Sequence, residues 1–144
     1  MIAVDTNVLL RRVLNDDATQ AKKARQLFET RESVLITDVV LAETIWTLTG
    51  KRYGAGKGEI VEVIMGLLEE HNVVFESRQA VWSALNDYLD AMPVKPPPGM
   101  RTADLADALV VNKAKVTALH RNEPYGGTYT YDQAALRLEG TKAP

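Results

Sequence analysis

Three short apolar runs, Ile2-Ala3-Val4, Val34-Leu35-Ile36-Thr37 and Val73-Val74-Phe75, are each followed by a stretch with helical periodicity. This alternation constrains the fold more than any other feature of the chain. Strands separated by helices pair in parallel, because each helix carries the chain back to the start of the next strand, and a parallel sheet needs both faces covered. The expected fold class is therefore α/β, a short central parallel sheet flanked by helices (α/β/α). In such sheets, sites form beyond the carboxyl ends of the strands.

The helical stretches carry their own signals. Thr6-Asn7 offers an N-cap for a helix from Val8 to Leu14, and Ala18 to Glu29 places Ala21, Ala24 and Phe28 on one face. Asp38 or Thr37 caps a helix from Val39 to about Leu48, and Gly50 to Gly58 reads as a basic, glycine-rich loop. Ile60, Val63, Ile64, Leu67 and Leu68 fall at i, i+3, i+4, i+7 and i+8, the stripe of an amphipathic helix. Ser77 caps another, with Val81, Ala84, Leu85, Tyr88 and Leu89 inward. Pro93, Pro96, Pro97, Pro98 and Gly99 mark a stiff non-helical loop, and a long helix then runs from Thr102 or Ala103 to about His120. Thr128 to Tyr131 alternates like a last strand. One domain over 1–144 is expected, with a frayed tail at about 140–144.

With no cysteine, the chain excludes disulfides, thiolate zinc sites and thiol nucleophiles, and two histidines are too few for a histidine-rich metal centre. A bound metal would be held mostly by oxygen, which points to magnesium or manganese. A net charge of −2 gives no overall pull towards nucleic acid. The opening residues show no signal-peptide pattern and no apolar run approaches a membrane span, so a cytoplasmic location with no membrane partner is expected.

The chemistry-bearing residues are acidic. Asp5 directly follows the first strand and Asp132 the last, Glu43 lies among Val39, Val40, Leu41, Ala42 and Ile45, and Asp104 and Asp107 share a face at the start of the long helix. Each has an ordinary structural reading: Asp5 and Asp132 as caps, Asp104 and Asp107 as acids at a helix N-terminus. Glu43 is the hardest to explain that way, since an acid among apolar neighbours must be exposed or paired. Gathered on one edge, such carboxylates repel and take up protons unless a divalent cation relieves them. Such an ion polarises a phosphoryl oxygen and activates water for phosphodiester hydrolysis. A receiver domain would need a later Lys that cannot be placed. An aspartyl phosphatase usually has a second Asp where Asn7 stands.

The set Val4-Asp5-Thr6-Asn7-Val8-Leu9, Ala42-Glu43, Ala103-Asp104-Leu105-Ala106-Asp107-Ala108-Leu109 and Thr130-Tyr131-Asp132 resembles the PIN-domain nucleases. Within them it is most similar to the VapC toxins of bacterial and archaeal toxin–antitoxin pairs. The resemblance implies a PIN-like fold and an Mg2+- or Mn2+-dependent endoribonuclease toxin, acting on RNA such as tRNA. It also implies a homodimer and a cognate VapB-type antitoxin that inserts a segment across the active site. Asp5, Glu43, Asp107 and Asp132 would bind metal or activate water. Asp104 would be a ligand, a supporting group or a helix-start acid, while Thr6, Asn7 and Thr130 would orient the carboxylates. A catalytically silent PIN-like module that binds RNA or protein is the alternative. The proline-rich loop and Asn122 to Gly127 look longer than the compact family pattern.

For RNA contact the candidates are Arg11, Arg12, Lys51, Arg52 and Lys57 on phosphates, with Tyr53 stacking on an unpaired base. Trp46 is read as a core residue in preference to a groove-lining one. His71 and His120 near helix ends receive no catalytic role.

Overall fold

The computed structural model describes residues 1–94 and 101–144, so Pro96, Pro97 and Pro98 of the proline-rich loop lie outside the described residues. The chain divides into two compact units, Met1–Arg78 and Gln79–Pro144.

The first unit is an α/β arrangement with a parallel sheet flanked by helices, as the alternating pattern predicts. Strands β1 (Ile2–Ala3), β2 (Val34–Ile36) and β3 (Val73–Phe75) lie in the order β1-β2-β3. Ile2 pairs with Val34, and Val34 with Val73. Helices α1 (Thr6–Leu14) and α2 (Ala18–Phe28) follow β1, and α3 (Asp38–Thr49) and α4 (Lys57–Glu69) follow β2. Val34 and Ile36 are buried while Leu35 between them is only partly so. Leu9, Leu41, Ile45, Ile60 and Ile64 fill the core with them. Each helix start satisfies a free backbone N–H: Asp17 accepts from the N–H of Gln20, and Thr37 from that of Val40. At α4, the Gly56 N–H donates to Glu59 at 2.8 Å, so the loop after α3 ends at Gly56. Buried Asn72 donates to the carbonyls of Phe28 (2.8 Å) and Thr30 (3.2 Å), tying the end of α2 to the start of β3.

In the second unit α5 (Arg78–Asp90, its first residue closing the preceding unit) buries Ala80, Val81, Ala84, Leu85 and Tyr88. Leu89, expected on that inner face, is 48% exposed, because it lies at the edge of the stripe that Tyr88 completes. Helix α6 (Leu105–His120) buries Leu105, Ala106, Ala108, Leu109 and Val111. Asn112 links it to α5, donating to Asp87 Oδ2 at 2.7 Å.

The last strand differs from expectation. β4 (Thr128–Tyr129) does not extend the three-stranded sheet. It pairs in parallel with β5 (Thr141–Lys142) in a separate two-stranded ladder. Residues within the tail expected to fray thus supply the partner strand. The turn into β5 passes through Gly140 at φ 95, a conformation that side chains rarely adopt, and its carbonyl accepts from Tyr125 Oη and the Thr128 N–H. Among the described residues no helix is long and apolar enough to cross a membrane.

Candidate acidic site

Asp5 stands at the carboxyl end of β1, as expected, and is also the N-cap of α1: its Oδ1 accepts from the Val8 N–H at 2.9 Å. Helix α1 accordingly begins at Thr6, and Thr6 and Asn7 belong to its first turn rather than capping it. That places the Thr6 hydroxyl against α3, where it donates to Glu43 Oε2 at 2.6 Å. Thr6 thus holds the Glu43 carboxylate by its hydroxyl, while Asn7 lines the clefts beside α1.

Glu43 is exposed, not buried among its apolar neighbours in sequence. Helix α3 turns Leu41, Thr44, Ile45 and Leu48 into the core and presents Glu43 on the opposite face. Trp46, read from sequence as a core residue, is 56% exposed. It shares Glu43's outward face because it lies one turn further along the same helix. Glu76, after β3, was not anticipated: its Oε2 accepts from the Asp38 N–H at 2.6 Å, adding an acid to the carboxyl edge of the sheet.

The second unit brings Asp104, Asp107 and Asp132 near one another. Asp104 is the N-cap of α6, its Oδ1 accepting from the Asp107 N–H at 2.8 Å, while Asp107 Oδ2 accepts from the Asp104 N–H at 2.9 Å. This reciprocal capping box fixes both side chains. Burial raises the Asp107 carboxyl above its ordinary range. The negative charges of Asp104 and Asp132 push in the same direction, and the Asp104 N–H opposes them. Replacing Asp104 by Ala removes the cap and is expected to destabilise by about 0.5–2 kcal/mol. Urea unfolding of Asp104→Ala beside Asp104→Asn, which keeps the acceptor, measures that difference.

Asp132 follows β4 after Thr130 and Tyr131 instead of directly ending a sheet strand. It is held in several ways. Thr130 Oγ1 accepts from the Asp132 N–H at 3.0 Å, and Asp132 Oδ1 accepts from the N–H groups of Ala134 (2.8 Å) and Ala135 (3.0 Å). Arg101 pairs with Oδ2 at 2.8 Å. Those backbone donors and then the guanidinium lower its carboxyl below the usual range. Thr130 thus positions Asp132 through its backbone. Arg101 was missed in the sequence because the two bonds that place it, reciprocal N–H to carbonyl contacts with Val94, close around a proline-rich stretch with no periodic signal.

The basic residues separate. Arg11, Arg52 and Tyr53 line one cleft together with Thr6, Asn7 and Thr47. Arg12 does not line it: its guanidinium bonds Glu70 Oε1 at 2.6 Å and lies 5.5 Å from the Phe28 ring centroid. Lys51 is exposed in the loop after α3, and Lys57 is the first residue of α4.

The donor chemistry suits a hard cation: the acids offer only oxygen, and Asp107 is crowded by like charge. Among the described residues no three Asp, Glu or His side chains form a group able to hold a metal ion. Magnesium, which takes one or two carboxylates and keeps several waters, does not require such a group.

The PIN domain family matches residues 2–120 of the 144, and the chain belongs to that family. PIN domains are in general nucleases, hydrolases that use divalent metal ions. The match takes in Asp5, Glu43, Asp104 and Asp107 and stops short of Asp132. No curated protein matches the chain.

Proposed function

We propose that this chain is a VapC-type toxin, an Mg2+- or Mn2+-dependent endoribonuclease that hydrolyses RNA phosphodiester bonds, tRNA being one candidate class. The observation that carries the reading is the placement of Asp107, locked with Asp104 in a reciprocal capping box at 2.8 and 2.9 Å and close enough to Asp104 and Asp132 to feel their charges. A carboxyl held above its ordinary value by burial and by two neighbouring carboxylates is a position that a bound cation stabilises. The family resemblance implies Asp5, Glu43, Asp107 and Asp132 as residues that would hold the cation, and Asp104 is the cap that orients Asp107. When bound, it would polarise a phosphoryl oxygen and lower the pKa of water.

The chain's own residues hold the acids ready for that role. The Thr6 hydroxyl fixes Glu43. The Asp104 N–H fixes Asp107. Thr130 and the N–H groups of Ala134 and Ala135 fix Asp132. A homodimer and a VapB-type antitoxin complete the proposal, and the exposed apolar side chains of Val39, Trp46 and Trp82 offer surface for such contacts.

Inducible expression in a bacterium tests the toxin reading. Wild type is expected to arrest growth and fragment cellular RNA, with Asp5→Asn and Glu43→Gln expressed equally and harmless. Arrest by all three would contradict it.

A further inference from the structure

The cleft lined by Thr6, Asn7, Arg11, Thr47, Arg52 and Tyr53 has a volume of about 260 Å³ and shares Thr6 and Thr47 with the surroundings of Glu43. Thr6 donates to the Glu43 carboxylate at 2.6 Å, and Thr47, one turn further along α3, donates to the Glu43 carbonyl at 2.8 Å. Through Thr6 the cleft is one hydrogen bond away from a carboxylate proposed to act in the reaction.

Its lining combines cations with an aromatic ring. Arg11 is held in place by Gln20 (2.8 Å from Nε) and Asp16 (2.7 Å from Nη1), so its planar fork is oriented before any ligand arrives. The Arg52 guanidinium lies 5.2 Å from the Tyr53 ring centroid. Asp16 feels both arginines, and with Asp17 it offsets part of the charge on Arg11. The loop carrying Arg52 and Tyr53 is built, not loose. Gly54 adopts φ 57, its N–H donates to the Gly50 carbonyl at 2.8 Å, and the Ala55 N–H donates to the Leu48 carbonyl at 2.8 Å. A glycine is needed there because a side chain is strained at positive φ.

We propose that this cleft is a subsite for one unpaired nucleotide flanking the scissile phosphate, its base stacked on Tyr53 and its phosphate held by Arg11 and Arg52. An aromatic face accepts any base, but only one drawn out of a helix, so the subsite selects single-stranded RNA over duplex. The volume lies below the roughly 300–1,000 Å³ typical of sites for drug-sized ligands, in keeping with a single nucleotide as the occupant. The assignment rests on the nuclease reading for its place beside Glu43, yet binding alone tests it.

The test is fluorescence anisotropy of an end-labelled single-stranded RNA decamer and its duplex, titrated with the full chain in EDTA so that cleavage does not intervene. Wild type is expected to bind the single strand more tightly. Tyr53→Ala is expected to weaken single-strand binding about 5- to 150-fold, the loss of one base–aromatic stack, and to leave duplex binding unchanged. Tyr53→Phe should restore it. Arg11→Gln and Arg52→Gln should each weaken binding and reduce the salt slope by about 0.7, the loss of one phosphate contact on a single strand. Lys22→Ala, an equal charge change on α2, should behave as wild type. Unchanged single-strand binding by folded Tyr53→Ala, or equal loss on both RNAs, would overturn the subsite. Should the protein prove unable to cleave RNA while Tyr53-dependent selectivity persists, the nuclease reading fails and the subsite stands.

Discussion

Asp107→Asn is expected to lower metal-dependent RNA cleavage by about 100-fold or more, since even groups that merely support metal ligands matter by 10–100-fold, while making the metal-free protein no less stable. The two effects have one cause. Burial, Asp104 and Asp132 disfavour the charged form of Asp107, so a neutral amide relieves the repulsion, and its oxygen can still accept from the Asp104 N–H. The sign with pH follows. A folded-state pKa above the unfolded one means that the folded protein binds the proton more tightly. This contribution to stability is complete below the ordinary carboxyl value of 3.8 and is lost as pH rises through the raised folded value. At neutral pH ionised Asp107 therefore weakens the metal-free wild type, and the variant should melt higher. Added Mn2+ should raise the melting temperature of wild type by mass action and that of the variant less. Thermal melts with and without metal, at neutral and acidic pH, provide the measurement. A variant that melts lower at neutral pH would count against the crowding of Asp107.

Leu9→Ala carries the second large effect. Leu9 is fully buried on α1, the helix whose first turn holds Thr6 and whose cap is Asp5. Removing a buried leucine side chain typically costs about 2–5 kcal/mol through lost transfer energy and the cavity left behind. That is a large share of the roughly 5–15 kcal/mol that keeps a domain folded. A lower urea midpoint with an unchanged slope is the expected result. A shift too small to resolve would mean that α1 contributes little to the first unit.

The sequence was most readable where one periodicity acts alone. β2 and β3, the buried face of α2 and the stripe of α4 follow from spacing, because burial on one face imposes it. Caps were harder, since Asp5, Thr6 and Asn7 all have capping side chains and only geometry shows that Asp5 is the one used. Hydrophobicity favours a core position for Trp46 and the spacing of the α5 stripe an inward one for Leu89, yet both lie at the surface. The acids were found as residue types, but their surroundings were not. Glu43 owes its partner to Thr6, and Asp132 owes its to Arg101, pairs distant in the chain and invisible to local pattern. The β4–β5 ladder escaped for the same reason: two-residue strands carry almost no alternation to read.

The most direct measurement is the cleavage of total RNA by purified protein in Mg2+ or Mn2+ and in EDTA, beside Asp5→Asn and Glu43→Gln. The account predicts fragments from wild type only when a divalent ion is present, and at least ~100-fold less from either variant. Equal cleavage by wild type and variants, or cleavage that persists in EDTA, would contradict it.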